Sequence, residues 1–135
     1  MEKRILVVDD VESTTKELNE ALENCNENFK VICKNNGFEA LQVILEGNID
    51  IMITDIAMPD MNGFELFKRT KELNEDFPVI MMTAFGYDPN HIVVNSKRAG
   101  LKDVILKKPL NIAKLIRLIK ERLNLNDSEI KSNCL

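Results

Sequence analysis

The sequence has few of the residues that thiolate metal sites, nucleic-acid surfaces and membrane spans require. Its three cysteines, Cys25, Cys33 and Cys134, are an odd number without a Cys-x-x-Cys spacing, so we expect free thiols rather than a disulfide framework or a zinc site. Lysine and arginine number 18 against 22 acidic residues and are dispersed, which argues against direct nucleic-acid binding. The apolar run before Asp9 is too short for a signal peptide or a membrane span, so we expect a cytoplasmic protein.

The apolar residues, 44% of the chain, suffice for the core of one domain and follow two alternating patterns. Short β-branched runs predict strands at residues 4–8, 29–33, 50–54, 78–83 and 104–106. Stripes at helical spacing predict helices at about 13–25, 40–45, 64–73, 88–100 and 112–123, the first with a capping box at Thr14 and Glu17. This alternation predicts an α/β domain with a parallel sheet over residues 1–123, and the polar residues 124–135 predict a tail or a cut linker.

Polar side chains lie at the carboxyl ends of four of the predicted strands. Asp9 and Asp10 follow the first strand, Asp55 follows the third, Thr83 ends the fourth and Lys108 follows the fifth. Taken singly, each has an ordinary explanation as a turn residue, a cap or a solvated charge. Because ligands of open parallel sheets bind outside the carboxyl ends of the strands, we expect these groups to form one site.

Such a group of side chains indicates phosphoryl chemistry at a magnesium site. Three converging carboxylates repel one another unless a cation holds them, and oxygen ligands without histidine or cysteine favour Mg²⁺. A hydroxyl and an ammonium on neighbouring strands can bind phosphoryl oxygens. The carboxylate that faces them can then act as the nucleophile and form an aspartyl phosphate.

Four short motifs occur in order on these elements. They are Val-Val-Asp-Asp at residues 7–10, Asp-Ile-Ala-Met-Pro-Asp-Met-Asn-Gly at 55–63, Thr-Ala-Phe-Gly at 83–86 and Lys-Pro at 108–109. Through them, the chain from about residue 3 to residue 123 resembles the receiver domain of two-component response regulators. The resemblance implies a flavodoxin-like (βα)5 fold, doubly wound, whose five-stranded parallel sheet has the order 2-1-3-4-5.

The resemblance also implies a role for each acidic residue of the site. Asp55 would accept a phosphoryl group from a phosphohistidine on a sensor histidine kinase or a histidine phosphotransfer protein. Asp10 would bind Mg²⁺ directly, and Asp9 would act through water or the hydrogen-bond network. Asp55 and the backbone carbonyl of Ala57 would complete the ligand set.

The remaining roles concern the phosphoryl group and the output. Thr83 and Lys108 would bind the phosphoryl oxygens, and a cis peptide bond before Pro109 would aim the lysine. The face formed by the fourth helix, the fifth strand and the fifth helix would change on phosphorylation and meet a downstream target protein or an output domain. The resemblance implies no enzymatic activity beyond the domain's own phosphorylation and dephosphorylation.

Three departures from the family pattern matter. The interval before the Lys-Pro motif is one residue longer than usual, so Lys107 is an alternative to Lys108 as the phosphoryl-binding lysine. Ile105 replaces the aromatic residue that reports phosphorylation in the family. Ala57 and Phe85 occupy the two positions that flank the attacking water in relatives, and neither can orient it, which predicts slow autodephosphorylation.

Other classes of protein fit the sequence less well. An aspartate-nucleophile phosphatase of the haloacid dehalogenase type needs a second aspartate where Ala57 stands. A dinucleotide or flavin module needs Gly-x-Gly-x-x-Gly after the first strand, where Asp9 and Asp10 would repel a pyrophosphate. A degenerate pseudo-receiver, which acts as a phosphorylation-independent protein-interaction module, would have lost part of the site that this chain keeps.

Overall fold

The computed structural model describes residues 1–84 and 105–125. Its strands are β1 (Lys3–Val8), β2 (Phe29–Lys34), β3 (Ile51–Asp55), β4 (Val79–Thr83) and β5 (Ile105–Lys107). Its helices are α1 (Glu12–Asn24), α2 (Gly37–Glu46), α3 (Gly63–Glu72) and α4 (Ile112–Arg122), the last being the fifth helix predicted from the sequence. The helix predicted at 88–100, Phe85 and Cys134 lie outside the described residues.

The five strands form one parallel sheet in the order β2-β1-β3-β4-β5. This order confirms the flavodoxin-like, doubly wound fold that the resemblance implies. Each strand predicted from the apolar runs is present with closely similar bounds. Within residues 1–84 and 105–125, no helix is long and apolar enough to cross a membrane.

Apolar side chains cover the sheet on both faces. In β1, Leu6 and Val8 face the layer formed with α2 and α3, whereas Ile5 and Val7 face the layer formed with α1 and α4. Because both faces are buried, the strands are almost continuously apolar in sequence instead of alternating. The second layer extends past α4, since Leu125 still packs against it.

Methionine is concentrated in the core around the end of β3. Five of the six methionines are buried, namely Met52, Met58, Met61, Met81 and Met82. They lie in β3, in the loop that follows it and in β4. Their unbranched thioether side chains fill the irregular space between these strands and the loop.

Three of the helices begin at an asparagine N-cap. The Oδ1 atoms of Asn36, Asn62 and Asn111 each accept a hydrogen bond from the backbone N–H three residues on, at 2.8, 2.9 and 3.0 Å. These bonds satisfy donors in the first turns of α2, α3 and α4 that have no partner within the helix. The asparagine side chain at the start of each of these helices therefore fixes the direction in which the chain leaves the preceding loop.

Helix α1 begins differently, and the capping box predicted at Thr14 and Glu17 is wrong. The helix starts at Glu12, its N-cap is Val11, and no side chain caps it. The physical reason lies one turn earlier, where the Asp9 carboxylate accepts a hydrogen bond from the Val11 N–H at 2.9 Å. This turn, closed by the Asp9 side chain, directs the chain into the helix before Thr14 is reached.

The start of α3 packs directly on the backbone of β3. The Gly63 N–H donates to the Ile56 carbonyl at 2.9 Å, and a Cβ atom at position 63 would lie 2.5 Å from the carbonyl oxygen of Asp55. A backbone oxygen in a paired strand cannot move aside as the end of a side chain can. Only glycine therefore holds the loop 56–62 this close to the end of β3.

We expect Gly63→Ala to lower the free energy of unfolding by about 1–3 kcal/mol, because the new methyl group collides with the β3 backbone. Gly37→Ala is the matched control, since a Cβ there meets chiefly the flexible Sδ of Met61, at 2.6 Å. Urea denaturation of both variants measures the difference. Equal losses in the two variants would contradict the close-packing explanation.

Candidate functional site

Three aspartates converge at the carboxyl edge of the sheet. Asp9 and Asp10 follow β1 and Asp55 ends β3, and each offers a carboxylate oxygen that lies within 4.8 Å of the others. Asp9 and Asp55 are buried, whereas Asp10 is exposed. The parallel pairing of β1 with β3 places these strand ends side by side, as the sequence predicted.

Lys108 reaches this cluster from the end of β5. Its Nζ lies 2.6 Å from Oδ2 of Asp9 and 3.3 Å from Oδ2 of Asp55, so the ammonium binds both buried carboxylates. Its backbone N–H donates to the Thr83 carbonyl at 2.8 Å, and the peptide bond to Pro109 is cis. Lys107, the alternative left open by the sequence, is exposed and pairs in register with Thr83.

Asp9 is fully buried and is fixed by three partners. Oδ1 accepts from the Val11 N–H, and Oδ2 accepts from Lys108. The Asn35 side chain donates to the Asp9 backbone carbonyl at 2.9 Å. Asn35 was missed from the sequence, although it follows β2 at the same edge of the sheet and the reasoning that selected the other residues would have found it.

Asp55 is poorly compensated for a buried carboxylate. It is 4% exposed, and its Oδ1 accepts no hydrogen bond from the described residues. Burial and the neighbouring charge of Asp9 raise the pKa of Asp55 above its usual value, while Lys108 opposes the rise. The site therefore contains a carboxylate oxygen that still needs a positively charged or hydrogen-bonding partner.

The charge of Lys108 is favoured by the same contacts. Burial lowers the pKa of Lys108. The hydrogen bond to Asp9 and the charges of Asp55 and Asp9 raise the pKa by more than burial lowers it, so the net shift is upward. The lysine therefore stays protonated at neutral pH. With all groups ionised, three carboxylates and one ammonium leave two negative charges in the site.

These residues fit a hard divalent cation. Their donor atoms are carboxylate oxygens, one of which is buried without a hydrogen-bond partner in the part of the chain that the structure describes, and the cluster contains no histidine or cysteine. Oxygen ligands of this kind suit Mg²⁺, which commonly takes one or two carboxylates and keeps several waters. Asp10, exposed beside the two buried aspartates, faces the solvent from which an ion enters.

Two further residues selected from the sequence lie close to the carboxylates, and the backbone of one of them, Ala57, interacts with Asp55 and lowers the pKa of that carboxyl. Thr83 is 3% exposed at the end of β4, and its hydroxyl donates to the Ala84 carbonyl at 3.3 Å. Ala57 is exposed in the loop just after Asp55. Their parts in phosphoryl and metal binding stay predictions.

An apolar groove adjoins the site on the α1 side of the sheet. It has a volume of about 520 Å³ and includes Lys108 in its wall. Leu18 and Ala21 of α1 line one side, and Pro109 and Leu110 line the other. A partner that reaches the carboxylates from this side would therefore contact α1 and the loop before α4.

Known proteins resemble this chain over most of its length. Sporulation initiation phosphotransferase F of Bacillus subtilis is 30% identical over 128 residues, which cover 95% of this chain and 99% of that protein. Several regulatory relatives are longer, and the chain spans only 25% to 61% of their lengths.

Solved structures agree in fold. A receiver domain protein from Clostridium thermocellum has a TM-score of 0.80 at 27% identity, covering 90% of this chain and 94% of its own. The chemotaxis protein CheY4 of Vibrio cholerae has a TM-score of 0.80 at 26% identity, covering 91% and 100%. The family model described as the response regulator receiver domain matches residues 5–120, and this protein therefore belongs to the receiver domains of two-component response regulators.

Proposed function

We propose that this domain accepts a phosphoryl group on Asp55 from a phosphohistidine donor and thereby acts as a switch. Phosphoryl acceptance is the general role of its family. The observation that carries the proposal for this chain is the Asp55 carboxylate, which is buried, has one oxygen without a hydrogen-bond partner among the described residues and belongs to an acidic cluster beside the Lys108 ammonium. A merely structural aspartate in such a position would have its hydrogen bonds satisfied.

Four residues would hold Mg²⁺, namely Asp9, Asp10, Asp55 and, through its backbone carbonyl, Ala57. The ion supplies positive charge that offsets repulsion between the carboxylates and an incoming phosphoryl group. Asp9 is already bound by Val11 and Lys108, which supports a role in Mg²⁺ binding through water or the hydrogen-bond network. Asp10 is exposed to solvent, which supports direct binding of Mg²⁺ by its carboxylate.

The transfer step needs Asp55 as a carboxylate. One of its oxygens forms the bond to phosphorus while the phosphorus–nitrogen bond to the donor histidine breaks, and the electron pair leaves with the imidazole nitrogen. The charge of Lys108 keeps the pKa of Asp55 from rising further and so favours the reactive form. The same ammonium can then pair with the phosphoryl oxygens.

The switch would follow from a change of hydrogen-bond partners. The Thr83 hydroxyl donates to the Ala84 carbonyl, and it would turn to the phosphoryl oxygens once they are present. Such a turn moves the loop after β4, which leads towards the helix predicted at 88–100. Phosphorylation would thereby shift the population of conformations towards one with an altered face of that helix, β5 and α4.

Two surfaces of the domain would bind partner proteins. The groove of about 520 Å³ between α1 and the loop before α4 lies beside Lys108 and would receive a sensor histidine kinase or a histidine phosphotransfer protein. The face that includes β5 and α4 would bind a downstream target protein or an output domain. We place this domain, residues 1–123 with the tail 124–135, in the cytoplasm, where phosphohistidine donors of this class act.

Asp55→Asn should abolish the gain of one phosphoryl group that the wild type shows with a small-molecule phosphodonor and Mg²⁺. Asp60→Asn is the matched control, because Asp60 lies in the following loop with φ 68°, a conformation that asparagine tolerates. Intact mass spectrometry with and without Mg²⁺ measures both. Phosphorylation of the Asp55 variant would sink the assignment, and no gain in the wild type would favour a degenerate pseudo-receiver.

Lys108→Ala should slow phosphorylation by about tenfold or more, because the preorganised ammonium beside Asp55 is lost. Lys107→Ala, which removes an exposed side chain, should leave the rate nearly unchanged. Calorimetric titration with Mg²⁺ should show binding at least as tight in the Lys108 variant, since a competing cation is gone. If the Lys107 variant were the slow one, the lysine assignment would be reversed.

Ala57→Asn combined with Phe85→Glu should speed loss of the phosphoryl group by roughly tenfold, because polar side chains at these positions can orient water for attack. The prediction rests on the exposed position of Ala57 just beyond Asp55 and, for Phe85, on the sequence alone. The decay of the aspartyl phosphate, followed by intact mass over time, measures it. An unchanged decay rate would show that another step limits hydrolysis.

A further inference from the structure

The α2–α3 face exposes large apolar side chains that the sheet does not need. Phe38, Leu45 and Leu73 are 51%, 59% and 38% exposed, and they are three of the five large apolar residues exposed in the described part of the chain. A surface helix needs only one apolar stripe, which here consists of Ala40, Val43 and Ile44 packed on the sheet. These exposed residues therefore require another explanation.

The exposed residues border a single groove of about 590 Å³ between α2 and α3. Phe38, Leu41 and Leu45 form a second stripe along α2, and Leu73 closes the far end beyond α3. Leu41 is half-buried and packs against the core, so it forms the floor. The groove thus has an apolar floor and apolar ends, like the core of a protein interface.

The charges around the groove are balanced. Glu65 and Arg69 bind each other at 3.0 Å, and the Arg69 guanidinium lies over the Phe38 ring at 5.8 Å. Lys68 and Glu72, one helical turn apart on the same rim, make no ion pair with any described residue. Two charges of each sign cancel, so the groove has no electrostatic preference for a strongly acidic or basic partner.

We propose that this α2–α3 face binds a second copy of the chain in a two-fold symmetric dimer. A two-fold contact is self-complementary, so that Lys68 of each copy can meet Glu72 of the other. With the helices of the two copies antiparallel, Phe38 of one copy packs between Leu45 and Leu73 of the other. The opposite charges of Lys68 and Glu72 on one rim, which form no ion pair within residues 1–84 and 105–125, are the observation that favours a second copy over a different partner.

The dimer leaves the phosphorylation site accessible. The groove that adjoins Lys108 lies with α1 and α4, on the other face of the sheet from α2 and α3. A donor protein and a second copy can therefore bind at the same time. The proposal stands independently of phosphorylation, because no residue of the α2–α3 groove belongs to the acidic cluster.

The test is a charge-exchange experiment on the full chain by sedimentation velocity over a concentration series. K68E alone and E72K alone should each weaken dimerisation by roughly tenfold, because each places like charges together at both symmetric contacts. Mixing the two variants should restore the dimer, since unlike charges then meet at both contacts. Leu45→Asp should abolish it, and the circular-dichroism spectrum of this variant should match that of the wild type, which shows that the fold is intact.

Three results would overturn the proposal. The first is a wild type that stays monomeric throughout the concentration series. The second is a dimer that neither Leu45→Asp nor the charge variants weaken, which would place the contact elsewhere. Failure of the mixture to restore what the single variants lose would likewise exclude the two-fold Lys68–Glu72 contact.

Discussion

The site depends on one ammonium that binds two buried carboxylates. Asp9 is 0% exposed and Asp55 is 4% exposed, and Lys108 is the cation that approaches both. An uncompensated buried charge costs several kcal/mol, so the end of β5 must lie close to the ends of β1 and β3 for the domain to fold with these aspartates ionised. The contact between Asp9 and Lys108 joins residues 99 positions apart and ties the last strand to the first.

Lys108 only partly offsets the cost of burying the charge of Asp55. Because the pKa of Asp55 is raised, its ionised form is less favourable in the folded state than in the unfolded chain. This cost is fully present above the raised pKa and disappears only when the pH falls below the ordinary value for aspartate. The ionised Asp55 therefore lowers the stability of the domain at neutral pH, and under-compensated groups of this kind are common at functional sites.

Sequence reasoning found the strands and the strand-end residues because both depend on local patterns. Asp55, Asp10 and Lys108 follow short apolar runs, and parallel pairing alone brings those ends together. Two interactions were missed. Asn35 was passed over although it follows β2 at the same edge of the sheet as the other site residues. The capping box at Thr14 was wrong because the Asp9 carboxylate accepts a hydrogen bond from the Val11 N–H, and the sequence does not show whether this aspartate turns towards its own backbone or towards the site. The Lys-Pro motif favoured Lys108 over Lys107 although the preceding interval is one residue longer than usual, and the structure places the ammonium of Lys108 beside Asp9, while the phosphoryl-binding role stays a prediction.

The five buried methionines have a consequence for how the switch can work. They lie in β3, in the loop after it and in β4, close to the proposed phosphorylation site at Asp55. Thioether chains have low torsional barriers and no branching, so they can change rotamer and refill space as the backbone above them shifts. Four of the five buried methionines, all but Met82, belong to the core layer under α2 and α3, so this layer can repack more readily than the layer under α1 and α4.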